Sequence, residues 1–148
     1  MTKIKVFTEK PKGFKSQVEV ASNWIEHDGL FLFVQKSGDA YEDLVWSLPG
    51  GKVEKNEDCL KACVREVEEE TAIILDPRQV KPITKLYISK PDFDYTYHMY
   101  HTKLDEQPEV RLSHEHTDFH WSDLESAQEL NLLTGGHEIL KLFKKMIK

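Results

Sequence analysis

The sequence predicts an α/β (α+β) sandwich in a single domain over residues 1–148. Three observations carry this reading. Several stretches alternate apolar and polar residues as strands do, two stretches repeat at helical spacing, and a Gly-rich loop precedes the first of those helices. A chain of 148 residues is long enough to bury one sizeable core.

Taken in order, residues 16–26 alternate loosely and read as a strand. Asp28-Gly29 is a hairpin-turn pair, and Leu30 to Gln35 is the partner strand. Residues 37–43 are polar and loop-like, and Trp46 to Leu48 forms a short strand that Pro49-Gly50-Gly51 ends. A helix runs from about Glu57 to Thr71, with Asn56 as its N-cap. Strands follow at 79–89 and 94–103, then a polar loop at 104–116 and a short strand at 118–122. From Gly136 to Lys148, Ile139, Leu140, Leu142, Phe143 and Ile147 mark an amphipathic helix.

Composition narrows the function classes. A hydrophobic fraction of 39% fits a globular protein and suggests neither a disordered chain nor a fibre. The net charge of −6 argues against general affinity for nucleic acid or anionic membranes, which need a basic face. Cys59 and Cys63 alone make no disulfide scaffold. The apolar runs, such as Gly29 to Val34, are too short to span a bilayer, and Met1 to Lys5 lack the apolar stretch of a signal peptide. The expectation is a cytoplasmic protein.

The helix at 57–71 carries the chemistry. Leu60, Cys63, Val64 and Val67 form its apolar face. Glu66, Glu69 and Glu70 fall together on another arc about 100° wide, which the small residues Cys59 and Ala62 share. Glu66 and Glu70 are like charges at i,i+4, in the half of the helix where the macrodipole disfavours them. No Lys or Arg stands at i+4 of any of the three. A hard divalent cation with oxygen ligands resolves that conflict, and a solvated acidic face is the competing reading from the helix alone.

The preceding loop shifts the balance between them. Pro49-Gly50-Gly51 puts glycines where backbone approaches a ligand or metal closely. Gly51, then Glu57, then Arg65-Glu66-Val67-Glu68-Glu69-Glu70-Thr71-Ala72-Ile73 resembles the signature of the Nudix hydrolases. Ala72 stands where that signature has Gly, a position that serves a left-handed helix cap. The run Leu48 to Glu54 is similar to the lead-in of MutT-type members, and the likeness extends over residues 16 to 145.

The resemblance implies a Nudix-type α/β/α sandwich with a mixed sheet. It also implies Mg²⁺-dependent hydrolysis of a diphosphate bond, with Mn²⁺ as a substitute. The metal ligands would be the Gly51 carbonyl, Glu66, Glu70 and Glu69, the last also placing the attacking water. Glu57 would pair with Arg65 and hold the loop to the helix. Glu115, in the polar loop, is a candidate base. Lys36 and Lys52 are candidates for the phosphates, and Trp121 and Tyr97 for stacking on a base, with Trp46, Tyr87, Tyr95 and Phe119 as further aromatics. His114, His116 and His120 lack partner ligands at zinc spacing.

The expected substrate is a nucleoside triphosphate, cut to monophosphate and pyrophosphate. ADP-ribose, a nucleotide sugar or a dinucleoside polyphosphate is the alternative within the same chemistry. A Nudix-shaped module that senses a nucleotide without cleaving it is the alternative from another class. The intact set of Glu66, Glu69 and Glu70 favours the enzyme. The expected partner is a small nucleotide, with no nucleic acid and no membrane, and a homodimer is allowed.

Overall fold

The structure, a computed structural model, describes residues 4–36 and 44–147. The loop expected at 37–43 lies outside the described residues. Strand β1 is Lys5–Phe7, β2 Val18–His27, β3 Leu30–Lys36, β4 Trp46–Ser47 and β5 Gly50–Lys52. Helix α1 is Cys59–Thr71, followed by a 3₁₀ turn at Pro77–Gln79. Strands β6 (Lys81–Lys90), β7 (Phe93–Lys103) and β8 (His116–Ser122) come next, then helices α2 (Leu124–Ala127) and α3 (Gly136–Met146). No helix among the described residues is long and apolar enough to cross a membrane.

The strands form one mixed sheet in the order β1-β6-β7-β2-β3-β4, with β5 also on β2 and β8 also on β3. Only the β2–β7 pairing among these is parallel. Asp28 and Gly29 both take positive φ, 53° and 79°, the conformation that lets a two-residue turn follow strand twist. Strand β2 is shared along its length. Its first half pairs β5, Ala21 opposite Gly51, and its end pairs β3, Glu26 opposite Phe31.

Both faces of the sheet are covered, and period-2 alternation sorts the side chains between them. Trp24, Phe31, Phe33, Tyr97 and Met99 face α3 and pack with Ile139, Leu140 and Phe143. Ala21, Ile25, Leu32 and Tyr100 face α1 and pack with Cys63 and Val67. The Trp24 ring, 1% exposed, stacks on Phe143 at 4.1 Å with the planes 3° apart. The result is the expected α/β/α sandwich.

Three expectations need correction. The cap of α1 is Asp58, whose carboxylate accepts from the Lys61 N–H at 3.2 Å, so the helix starts at Cys59 rather than Glu57. Asn56 instead takes φ 65° in the turn that the Glu57 N–H closes on the Glu54 carbonyl. Gly50-Gly51 does not merely end a strand; it belongs to β5 itself. Strand β1 and helix α2 were not foreseen, being too short to show a period.

Candidate active site

The acidic arc of α1 lies against β5. The Gly50 N–H donates to Glu70 Oε1 at 3.0 Å. A Cβ at Gly51 would overlap the Glu66 carboxylate, which would have to move aside.

Arg65 organises the outer part of the arc. Its Nε and Nη2 fork onto Glu57 at 2.8 and 3.0 Å, and Nη2 also donates to the Lys52 carbonyl at 3.1 Å. Nη1 donates to Glu66 Oε2 and Glu69 Oε2, each at 2.8 Å. All five guanidinium donors are engaged. The fork holds the Glu57 carboxyl down to about 2. The missing counter-cation of the helix is thus supplied from the N-terminal side of each Glu, at i−4 of Glu69 and beside Glu66.

Glu70 has no such partner among the described residues. Burial pushes its carboxyl up to about 8; the Gly50 N–H opposes this, and the charges of Glu66, Glu115 and Glu69 add to it. Burial also raises Glu66 above the usual carboxylate range, against the pull of Arg65. The Glu66 side chain is 19% exposed and that of Glu69 53%, so the arc grades from buried to open.

Glu115 reaches the same place from the loop before β8. The loop before β8 is tied to the end of α1 by Arg111 N–H to the Thr71 carbonyl at 2.8 Å and Ser113 N–H to the Glu70 carbonyl at 3.2 Å. Glu115 sits in the next turn, exposed, close enough for its charge to act on Glu66 and Glu70. These charges attract a cation collectively. Oxygen donors of this kind suit a hard divalent ion, whose charge would favour the ionised form of the half-buried Glu70 carboxyl.

On the α3 side of the sheet lies an apolar cavity of about 330 Å³. Trp46, Phe93, Tyr95, Tyr97, Leu132 and Leu133 wall it, and Gly50 and Lys52 also line it. Gly50 therefore belongs to both features, donating to Glu70 and lining the cavity. Of the residues expected to contact substrate, Tyr97 and Lys52 are brought to this cavity. Trp121 is not; it packs on the α1 face with Leu32. Lys36 ends β3 opposite His116, outside the cavity lining. Tyr87 packs edge-on to Phe14 at 5.4 Å, and Phe119 is exposed on β8.

The sequence reading missed Phe93, Leu132 and Leu133 as cavity walls. It also missed the approach of Glu19 and His98 to Cys59. Nothing local marks them, because each comes from a long-range pairing.

A family model described as NUDIX domain matches residues 18–143. The chain is 26% identical over 129 residues to the CTP pyrophosphohydrolase of Escherichia coli (strain K12), covering 85% of this chain and 90% of that protein. It is 30% identical over 99 residues to the asymmetrical bis(5'-nucleosyl)-tetraphosphatase of Caenorhabditis elegans, covering 66% of this chain and 70% of that protein. Its fold matches the crystal structure of a MutT protein from Methanosarcina mazei Go1 with a TM-score of 0.75 at 24% identity, over 90% of this chain and 97% of the other.

Proposed function

The chain belongs to the Nudix hydrolase family, and we propose that it hydrolyses a nucleoside triphosphate to the monophosphate and pyrophosphate, using Mg²⁺ with Mn²⁺ as a substitute. The observation that carries this reading is the junction at Gly50. One side of it meets the half-buried carboxylate arc, and the other opens on an apolar, aromatic cavity. At about 330 Å³ that cavity suits one nucleoside. The kinship with a protein named for CTP pyrophosphate hydrolysis, over most of both chains, supports the same choice.

In this reading the Gly51 carbonyl, Glu66, Glu70 and Glu69 would hold the ion, which would supply polarisation of phosphoryl oxygens and acidification of water. Glu69 and Glu115 are the exposed carboxylates at the arc, and one of them takes the proton as water attacks a non-terminal phosphorus. The bond to the pyrophosphate oxygen breaks. Arg65 and Glu57 hold the Lys52 loop against α1, so that Gly50 and Lys52 keep their places between arc and cavity. Trp46, Tyr95 and Tyr97 offer faces to a base. Stacking contributes about 1–3 kcal/mol per base and is sequence-tolerant, so several bases are accepted.

The test is a panel of ribo- and deoxyribonucleoside triphosphates, ADP-ribose, nucleotide sugars and dinucleoside polyphosphates, run in ¹⁸O water. Monophosphate and pyrophosphate from several triphosphates, with label in one of them, is the expected result. Orthophosphate as the primary product, or turnover confined to one of the other classes, would overturn the substrate assignment.

A further inference from the structure

We propose that Glu19, Cys59 and His98 form a second metal site, for a borderline ion of the zinc class, that clasps the start of α1 to the sheet. His98 Nε2 lies 2.7 Å from Glu19 Oε1 and 3.3 Å from Cys59 Sγ, and the three ligand atoms lie within 4.8 Å of one another. Glu19 is on β2, His98 on β7 and Cys59 is the first residue of α1. The parallel register sets Glu19 opposite Thr96 and Ala21 opposite His98, which makes Glu19 and His98 diagonal neighbours on the face that α1 covers.

A protonated Nε2 donates to Glu19 Oε1 at 2.7 Å, and the Cys59 sulfur lies beside the same nitrogen at 3.3 Å. A cation at the point of convergence serves all three atoms.

The donor set of one thiolate, one imidazole and one carboxylate is one that zinc takes, whereas Mg²⁺ prefers oxygen. Zinc–ligand lengths of about 2.0–2.3 Å at tetrahedral angles put ligand atoms roughly 3.3–3.6 Å apart. The sulfur–nitrogen distance already fits. Glu19, whose side chain is 50% exposed, has room to adjust to both partners, while His98, 13% exposed, stays in place. Lys85, opposite His98 in the β6–β7 register, is the cation that such an ion would face. Seven residues separate Cys59 from Glu66, about 10 Å along the helix, so the site is separate from the acidic arc.

The experiment is a titration of the full chain with Co²⁺ in excess Mg²⁺, which saturates the oxygen sites. It follows thiolate-to-cobalt charge-transfer absorption. The expected result is a band that saturates at one ion per chain, is displaced by Zn²⁺, disappears in Cys59→Ser and persists in Cys63→Ser. His98→Gln and Glu19→Gln should each weaken binding by ~10-fold or more, the scale on which even outer-shell losses act. These two variants keep the test open should Cys59→Ser not fold. No band, or a band that survives Cys59→Ser or depends on Cys63, would overturn the proposal.

Discussion

At the residue scale, the arc divides labour by burial. Glu70 is half-buried and receives the Gly50 N–H, which orients its carboxylate. Glu69 and Glu115 are exposed, which leaves them free to meet water. Glu69→Gln and Glu115→Gln separate the two candidate bases. The variant that removes the base should lose about 10²-fold or more in kcat with little change in Tm, and the other should lose less. Steady-state kinetics with a thermal melt on each variant checks this. Wild-type kcat in both would remove the base assignment altogether. Arg65 shows how far residue-level reading goes. Helical spacing displayed the crowding of Glu66, Glu69 and Glu70, but not the partial answer Arg65 gives to Glu66 and Glu69, because its fork also needs Glu57 from outside the helix and the Lys52 carbonyl.

At the element scale, α1 is held by its ends as well as its face. Its C-cap, Ala72, adopts φ 64° and ψ 11°, and its N–H reaches the Glu68 carbonyl at 2.9 Å. The left-handed cap of the Nudix signature is therefore kept without its glycine. A Cβ in that conformation costs about 1–2 kcal/mol, partly offset by the larger chain entropy glycine brings to the unfolded state. Ala72→Gly should stabilise the protein by roughly 0.5–1 kcal/mol in urea melts and leave kcat within about twofold. Destabilisation would show that the Ala72 methyl makes a contact that matters.

The N-terminal end of α1 was less legible. Asn56 and Asp58 are both good capping residues, and sequence alone does not tell which is the cap. The choice was made by the Glu54–Glu57 turn, which takes Asn56 into the left-handed region and leaves Asp58 extended. The apolar face of Cys63 and Val67 and the Asp28-Gly29 hairpin were readable because their signals are local. β1, Lys5–Phe7, carried none, because its place is set by pairing with β6 more than 70 positions away.

At the scale of the whole molecule, the parallel β2–β7 pairing is the organising contact, and it is the one a single sequence shows least. It brings Tyr97 and Trp24 to one face, where the cavity opens, and Glu19 and His98 to the other. The signature gave the carboxylates of the arc, while the cavity walls at Phe93, Leu132 and Leu133 depended on how β7 and the segment before α3 meet. Two helices on opposite faces leave the Gly50 loop as the passage between arc and cavity.

The central claim is that the arc of α1 works through a divalent cation. Its most direct test is to follow pyrophosphate release from CTP by the full chain in Mg²⁺, then in excess EDTA, then with Mg²⁺ or Mn²⁺ restored. Turnover that stops with chelator and returns with either ion is the expected result, and undiminished turnover in excess EDTA would contradict the claim.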